Sequence, residues 1–235
     1  MAFLIIAYRR MGSAGKTLGS NIRPHEPDAY DRLLDQLIAE GYLKTPAYIT
    51  AFRKVMRQDF LPAGMESEAA LNAPLPIGGH QTISQPLTAA FMLELLSPRP
   101  GQKVLDVGSG SGWTTALLAE IVGSRGHVYA VERLPELQAF SQRNVVKYRY
   151  PNVTMRGGDG SRGLPEFAPF DRIQVAAAAR AVPPALLQQL AVGGRMVIPT
   201  QAEDLRLIER KSPGEYTTKI FSGFLFVPLV ENHET

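Results

Sequence analysis

The stretch Lys103-Val-Leu-Asp-Val-Gly-Ser-Gly-Ser-Gly-Trp113 decides how the chain is read. Val104, Leu105 and Val107 form a short apolar run, the pattern of a strand buried on both faces of a parallel sheet. Gly108, Gly110 and Gly112 end the run. The next residues, Thr114–Ile121, predict a helix with Leu117, Leu118 and Ile121 on one side. Strand, glycine turn and helix in that order open a doubly wound nucleotide-binding fold. Glycine is required in such a turn because a Cβ obstructs both the tight bend and the approach of backbone to ligand.

Spacing narrows the ligand. A dinucleotide fingerprint needs a third glycine at position 113, which is Trp113. The pattern present is D-x-G-x-G-x-G, with Asp106 ahead of Gly108, Ser109, Gly110, Ser111 and Gly112. A carboxylate at Asp106 suits a cationic ligand such as the amino-acid end of S-adenosylmethionine, which carries an ammonium and a sulfonium. A second strand is predicted over Val128–Val131. Glu132 ends it about 20 residues beyond Gly112, where a carboxylate accepts both hydroxyls of a ribose. The competing reading is a glycine-rich loop that binds nothing.

At 235 residues the chain holds one domain with a full core and a short extension. Hydrophobic residues make up 45% and charged residues 20%, ordinary for a soluble globular protein, so a cytoplasmic setting is expected. No apolar run approaches membrane-spanning length, and no membrane partner is expected. Cysteine is absent, which removes disulfides, thiolate nucleophiles and cysteine-ligated metals. His25, His80, His127 and His233 are scattered without ligand spacing, so no metal site is expected. The formal charge of +3 and the lack of a basic stripe argue against nucleic acid.

Residues 1–27 read as a flexible extension, a targeting presequence and a start at Met11 or later being the alternatives. Residues 28–235 read as one domain, with 28–86 a helical and substrate-loop portion and 87–235 the cofactor core. Leu33, Leu34, Leu37 and Ile38 define one face of a helix capped by Asp28 and ended by Gly41. Pro46–Arg57 predicts a second helix. Pro74–Pro86 is too rich in Pro and Gly for a helix and precedes a predicted helix over Leu87–Leu96. On its own residues, Ser84 reads first as a cap of that helix, with a substrate seat as the alternative.

Downstream, strands are predicted over Val153–Arg156, Asp171–Ala176 and Arg195–Pro199, with a turn at Gly193-Gly194. Helices are predicted over Pro135–Tyr148 and Pro183–Leu190. Asp159 lies at a strand's carboxyl end, where it can accept from an adenine amino group or simply make an Asp-Gly turn. Leu205–Arg210 and Lys219–Val227 read as an antiparallel edge pair. The alternation of strands and helices makes this one α/β domain, a mostly parallel central sheet with helices on both faces and an antiparallel C-terminal edge pair.

The chain resembles the protein-L-isoaspartate O-methyltransferases from about Asp31 to Leu229. The resemblance is carried by Pro74–Pro86 with its Gln81-Thr-Ile-Ser84, by Val104–Gly112, and by Glu132-Arg133-x-Pro135-Glu136-Leu137. It continues through Gly158-Asp-Gly160, Ala168-Pro-Phe-Asp-Arg172, Pro183-x-Ala-Leu-Leu-x-Gln-Leu190, Gly193-Gly-Arg195 and Val227-Pro-Leu229. It implies a Rossmann-like class I methyltransferase fold and S-adenosyl-L-methionine as cofactor, leaving as S-adenosyl-L-homocysteine. The implied activity is methylation of the free carboxylate of isoaspartyl residues in damaged proteins or peptides, a repair reaction. The matching positions imply Ser84 as the active-site residue. They imply Gln81, Thr82, Ile83, Ser84, Asp106, Ser111, Glu132, Arg133, Asp159 and Gly160 around the cofactor, beside the glycine loop Gly108–Gly112.

The chain departs from the family's usual pattern on the acceptor side, at Gly78-Gly79-His80, at Leu87, Thr88 and Ala89, at Arg180 and over Pro199–Asp204. The alternatives these leave are a carboxyl methyltransferase with another peptide or small-molecule acceptor, and a silent cofactor-binding relative. Like-charge repulsion at Glu203-Asp204 is expected to disfavour acidic peptides.

Overall fold

The computed structural model describes residues 28–230. Two helices open it. Helix α1 (Ala29–Ala39) starts where the Asp28 carboxylate accepts from the Asp31 amide at 2.8 Å, and it buries Tyr30, Leu33, Leu34 and Leu37. Helix α2 is shorter than its predicted span and stops at Lys54 (Pro46–Lys54). Val55 then breaks the helical path and Arg57–Phe60 forms a separate 3₁₀ turn. The break turns Arg57 inward, where it is fully buried.

The Pro- and Gly-rich stretch is a small antiparallel hairpin, β1 (Leu75–Gly78) and β2 (Gln81–Ile83), with Gly79 and His80 both at positive φ in the turn. Helix α3 (Pro86–Leu96) follows immediately. Its cap position is Gln85, with no side-chain cap bond, so Ser84 does not cap the helix. The proline at N1 removes one of the amide donors a cap would serve.

The core is a seven-stranded sheet in the order β5-β4-β3-β6-β7-β8-β9. Its strands are β3 (Lys103–Val107), β4 (His127–Glu132), β5 (Val153–Gly157), β6 (Phe170–Val175), β7 (Leu190–Thr200), β8 (Asp204–Ser212) and β9 (Glu215–Ser222). The first five run parallel, and β8 and β9 pair antiparallel at one edge. Helix α4 (Trp113–Val122) connects β3 to β4, α5 (Pro135–Val146) connects β4 to β5, and α6 (Pro184–Gln189) precedes β7. Two predictions shift. Gly193-Gly194 lies within β7 at a register irregularity, so the strand begins at Leu190. Strand β9 starts at Glu215 directly after a tight turn, which leaves 223–230 as an extended segment instead of strand.

The sheet divides the apolar interior. Val104 and Val128 pack with α1 to α5 on one side, while Leu105, Val107, Val131, Ile173 and Val175 pack with Leu186 of α6 on the other. Because strand side chains alternate, Asp106 shares the side of Val104 and Val107 the opposite one. No helix among the described residues is long and apolar enough to cross a membrane.

Candidate active site

Strand β3 is the switch point of the sheet, with β4 on one side and β6 on the other. A crevice opens beyond the carboxyl ends of strands at such a point. Here it is walled by the loops that follow β3, β4, β5 and β6, through Gly108–Ser111, Glu132–Leu134, Gly160 and Ala176–Ala177. Trp113 and Thr114, at the start of α4, close one end. The β2 residues Gln81, Thr82 and Ile83, with Ser84, form the near rim, and Val227–Val230 the far one.

The glycines of the loop fit where they do because they carry no side chains. At Gly110 (φ +54°) a Cβ would stand 3.2 Å from Ile77 Cδ1 of the hairpin above. At Gly112 (φ +90°) it would lie 2.6 Å from Ser141 Oγ and 2.9 Å from Val145 Cγ2, so glycine lets α4 and α5 close together. Glu132 fixes the loop's position. Its Oε2 accepts from the Gly110 amide at 2.9 Å, and its Oε1 from the Leu134 amide at 3.0 Å. A carboxylate oxygen takes more than one hydrogen bond, so this cleft-lining acid keeps acceptor capacity for a ligand's hydroxyls.

The other two acids sit differently. Asp106 is wholly buried and is not among the residues lining the cleft. Its Oδ2 accepts from Thr115 Oγ1 of α4 at 2.6 Å, and its Oδ1 has no partner among the described residues. Burial pushes its pKa from 3.8 up to about 6, with the nearby Glu132 charge adding to the rise. The alternation of β3 is the signal for this placement, since the residue before the cleft-lining Val107 must face the helix layer. Asp159 Oδ1 accepts from the Ser161 amide (2.9 Å) and hydroxyl (2.7 Å), capping the 3₁₀ turn Gly160–Arg162. Its neighbour Gly160 reaches the cleft, and Gly112 backs the loop from behind. Arg133 lines the mouth and is exposed.

A second cavity adjoins the first and shares Thr82, Ser84, Ala176 and Val227 with it. Pro74, Gln85, Thr88, Leu225 and Phe226 complete its lining, and none of these side chains is charged. The Ser84 hydroxyl stands on the shared wall, half-exposed and without a partner among the described residues. Gln85 is steadied by the Asn72 carbonyl (3.0 Å) and accepts from Thr88 Oγ1 (3.3 Å). Residues 225–230, of which 227–230 line the first cavity and 225–227 the second, were not among the expected site residues. They are held by backbone bonds from Ala178 to Val227 (2.7 Å) and from Leu229 to Ala178 (2.8 Å).

The acceptor-side departures separate in the same way. Thr88 lines the second cavity, whereas Arg180, Glu203 and Asp204 line neither. Burial opposes ionisation of Asp204, but hydrogen bonds from Arg206 and from Thr200 Oγ1 (2.6 Å) outweigh it and hold the carboxyl below its usual range. The expected repulsion of acidic peptides by this loop is thus not supported for Asp204, whose charge is compensated by Arg206.

A profile of the protein-L-isoaspartate(D-aspartate) O-methyltransferase family matches residues 28–234. The chain belongs to this family. A protein-L-isoaspartate O-methyltransferase of Ignicoccus hospitalis is 47% identical over 204 residues, covering 85% of this chain and 96% of that protein. One from Methanopyrus kandleri is 45% identical over 206 residues, covering 86% and 91%. In structure, a methyltransferase of the same description from Plasmodium falciparum, in complex with S-adenosyl-L-homocysteine, superposes with a TM-score of 0.77. That likeness, at 24% identity and covering 86% of this chain and 99% of the other, shows the shared methyltransferase fold.

Proposed function

We propose that this chain transfers the methyl group of S-adenosyl-L-methionine to the free carboxylate of L-isoaspartyl residues in damaged proteins or peptides. The observation that carries the reading is the shared wall of the two cavities, where Thr82 and Ser84 stand between the loops that would seat the cofactor and the uncharged pocket beyond.

The residues present fit the cofactor. Gly108 and Gly110 offer backbone without side-chain obstruction, and Glu132 presents spare acceptor capacity to a ribose. Gln81–Ser84, Arg133 and Gly160 complete the enclosure, with Asp106 tied to Thr115 of α4 behind the first loop and Asp159 capping the turn that carries Gly160. When bound, the cofactor supplies a methyl group already activated by its sulfonium.

The acceptor needs equally little activation. A carboxylate has a pKa near 4 and is ionised at neutral pH, so no general base is required, and the second cavity offers none. The protein's task is alignment and exclusion of water. In this reading the Ser84 hydroxyl donates to one carboxylate oxygen and leaves the other to attack in line. Val227, Phe226 and Ala176 give this pocket apolar walls. The ester formed would collapse to a succinimide as the substrate's following backbone amide nitrogen attacks the ester carbonyl and expels methanol, and water would reopen the ring partly to aspartate. The cysteine-free composition, which asks for no oxidising compartment, supports a cytoplasmic setting.

Ser84→Ala is expected to lower kcat by roughly tenfold to a hundredfold while changing cofactor affinity by less than about threefold. Parallel losses in both would remove Ser84 from the acceptor. The function itself is tested by incubating an isoaspartyl peptide with the protein and cofactor and following its conversion to the aspartyl form by chromatography. An isoaspartyl peak that never declines would refute the reading.

A further inference from the structure

Arg57 is fully buried, yet no carboxylate pairs with it among the described residues. Among those residues its guanidinium donates to backbone carbonyls alone. Nη1 reaches the carbonyls of Ala69 (3.0 Å) and Leu71 (2.9 Å), and Nη2 those of Ala73 (2.7 Å) and Ser84 (3.1 Å). Burying an uncompensated cation is costly. The cost shows in its pKa, which burial lowers to about 10, with the Tyr30 hydroxyl partly opposing. A residue needed only to fill the core would be better apolar.

The position of the four carbonyls points to the reason. Ala73 precedes β1 and Ser84 follows β2, so a single nitrogen joins the two ends of the hairpin stem. The other nitrogen ties down the loop that leads into it. The guanidinium carbon also lies 5.6 Å from the ring centre of Trp113, which lines the cofactor cleft and whose indole donates to the Val55 carbonyl at 3.3 Å. Only a planar fork can serve carbonyls on two sides in this way, while a lysine ammonium is a point charge on a flexible stem.

We propose that Arg57 is the positioning residue of the methyl-acceptor wall, its guanidinium fixing both ends of the β1–β2 hairpin and thereby the place where Ser84 presents its hydroxyl. The proposal rests on the acceptor role given to Ser84 above. Arg57 touches neither cavity, since it is absent from both linings. It therefore acts on alignment, and its loss should appear in turnover.

The test uses Arg57→Lys, which keeps the charge, and Arg57→Met, which keeps the bulk, each alone and with Ser84→Ala. Folded Arg57→Lys should lose at least about tenfold in kcat for an isoaspartyl peptide, with cofactor Kd and peptide KM within about threefold. Arg57→Met should lose more. In the Ser84→Ala background Arg57→Lys should change kcat by less than about threefold, because both changes remove the same placement. Hydrogen exchange should accelerate for the hairpin amides Leu75–Ile83 ahead of the central sheet. Retained kcat in Arg57→Lys, equal losses in kcat and cofactor affinity, or full additivity with Ser84→Ala would overturn the proposal. So would failure of both single variants to fold, which would make Arg57 a general anchor. A Ser84→Ala protein with unchanged turnover would instead remove the acceptor reading itself and the proposal with it.

Discussion

Replacing Asp106 by Asn should change the pH dependence of stability in one direction only. The carboxyl is wholly removed from water, has one hydroxyl donor at 2.6 Å and leaves Oδ1 unpartnered among the described residues. Raising its pKa from 3.8 to about 6 costs the ionised form about 3 kcal/mol, at about 1.4 kcal/mol for each pH unit. The folded carboxyl therefore holds its proton more tightly than the unfolded one. Between about pH 4 and pH 6 the folded state binds more protons, so this group's contribution falls as pH rises through that window. Below it the folded acid is neutral and costs little; above it the buried charge is paid in full. Asparagine keeps the shape and the Thr115 bond without titrating.

Urea unfolding of both proteins without cofactor, at several values from pH 4 to pH 8, isolates the effect as a difference in which other groups cancel. The stability of Asp106→Asn relative to the parent should climb by about 2.4 kcal/mol from pH 4 to pH 7 and then level. A flat difference would refute the burial argument. A difference that falls with rising pH would mean that Asp106 is stabilised as an anion.

Glu132→Gln should weaken cofactor binding by roughly tenfold to a hundredfold, because an amide cannot accept from both the Gly110 and Leu134 amides. Trp113 is the sole tryptophan and lines the cleft, so its fluorescence reports the titration. Gly112→Ala should cost about 2 kcal/mol or more in urea unfolding, since its Cβ meets Ser141 Oγ at 2.6 Å at a φ of +90°.

The parts of the fold carried by local pattern were legible from sequence. The run Lys103–Val107 with its glycines, the acid closing β4 and the amphipathic face of α1 each declare themselves in a few residues. What stayed hidden depended on distant partners. The β1–β2 hairpin has strands of four and three residues, too short for alternation to register, and is held by an arginine from another segment. Gly193-Gly194 looks like a turn locally but lies at an irregularity within β7, between the pairs that Leu190 and Arg195 make with β6. The lining contributed by 225–230 follows from backbone bonds to Ala178, which no sequence spacing announces. Asp106 is the instructive case, because its residue type suggested a ligand while its place in the strand alternation assigned it to the helix layer.

The central claim is most directly tested by offering labelled S-adenosyl-L-methionine with a matched pair of peptides, one carrying isoaspartate and the other aspartate at the same position. Base-labile methyl ester is expected on the isoaspartyl peptide alone, sharply reduced in Ser84→Ala. Equal labelling of both peptides, or none of either while the cofactor still binds, would contradict it.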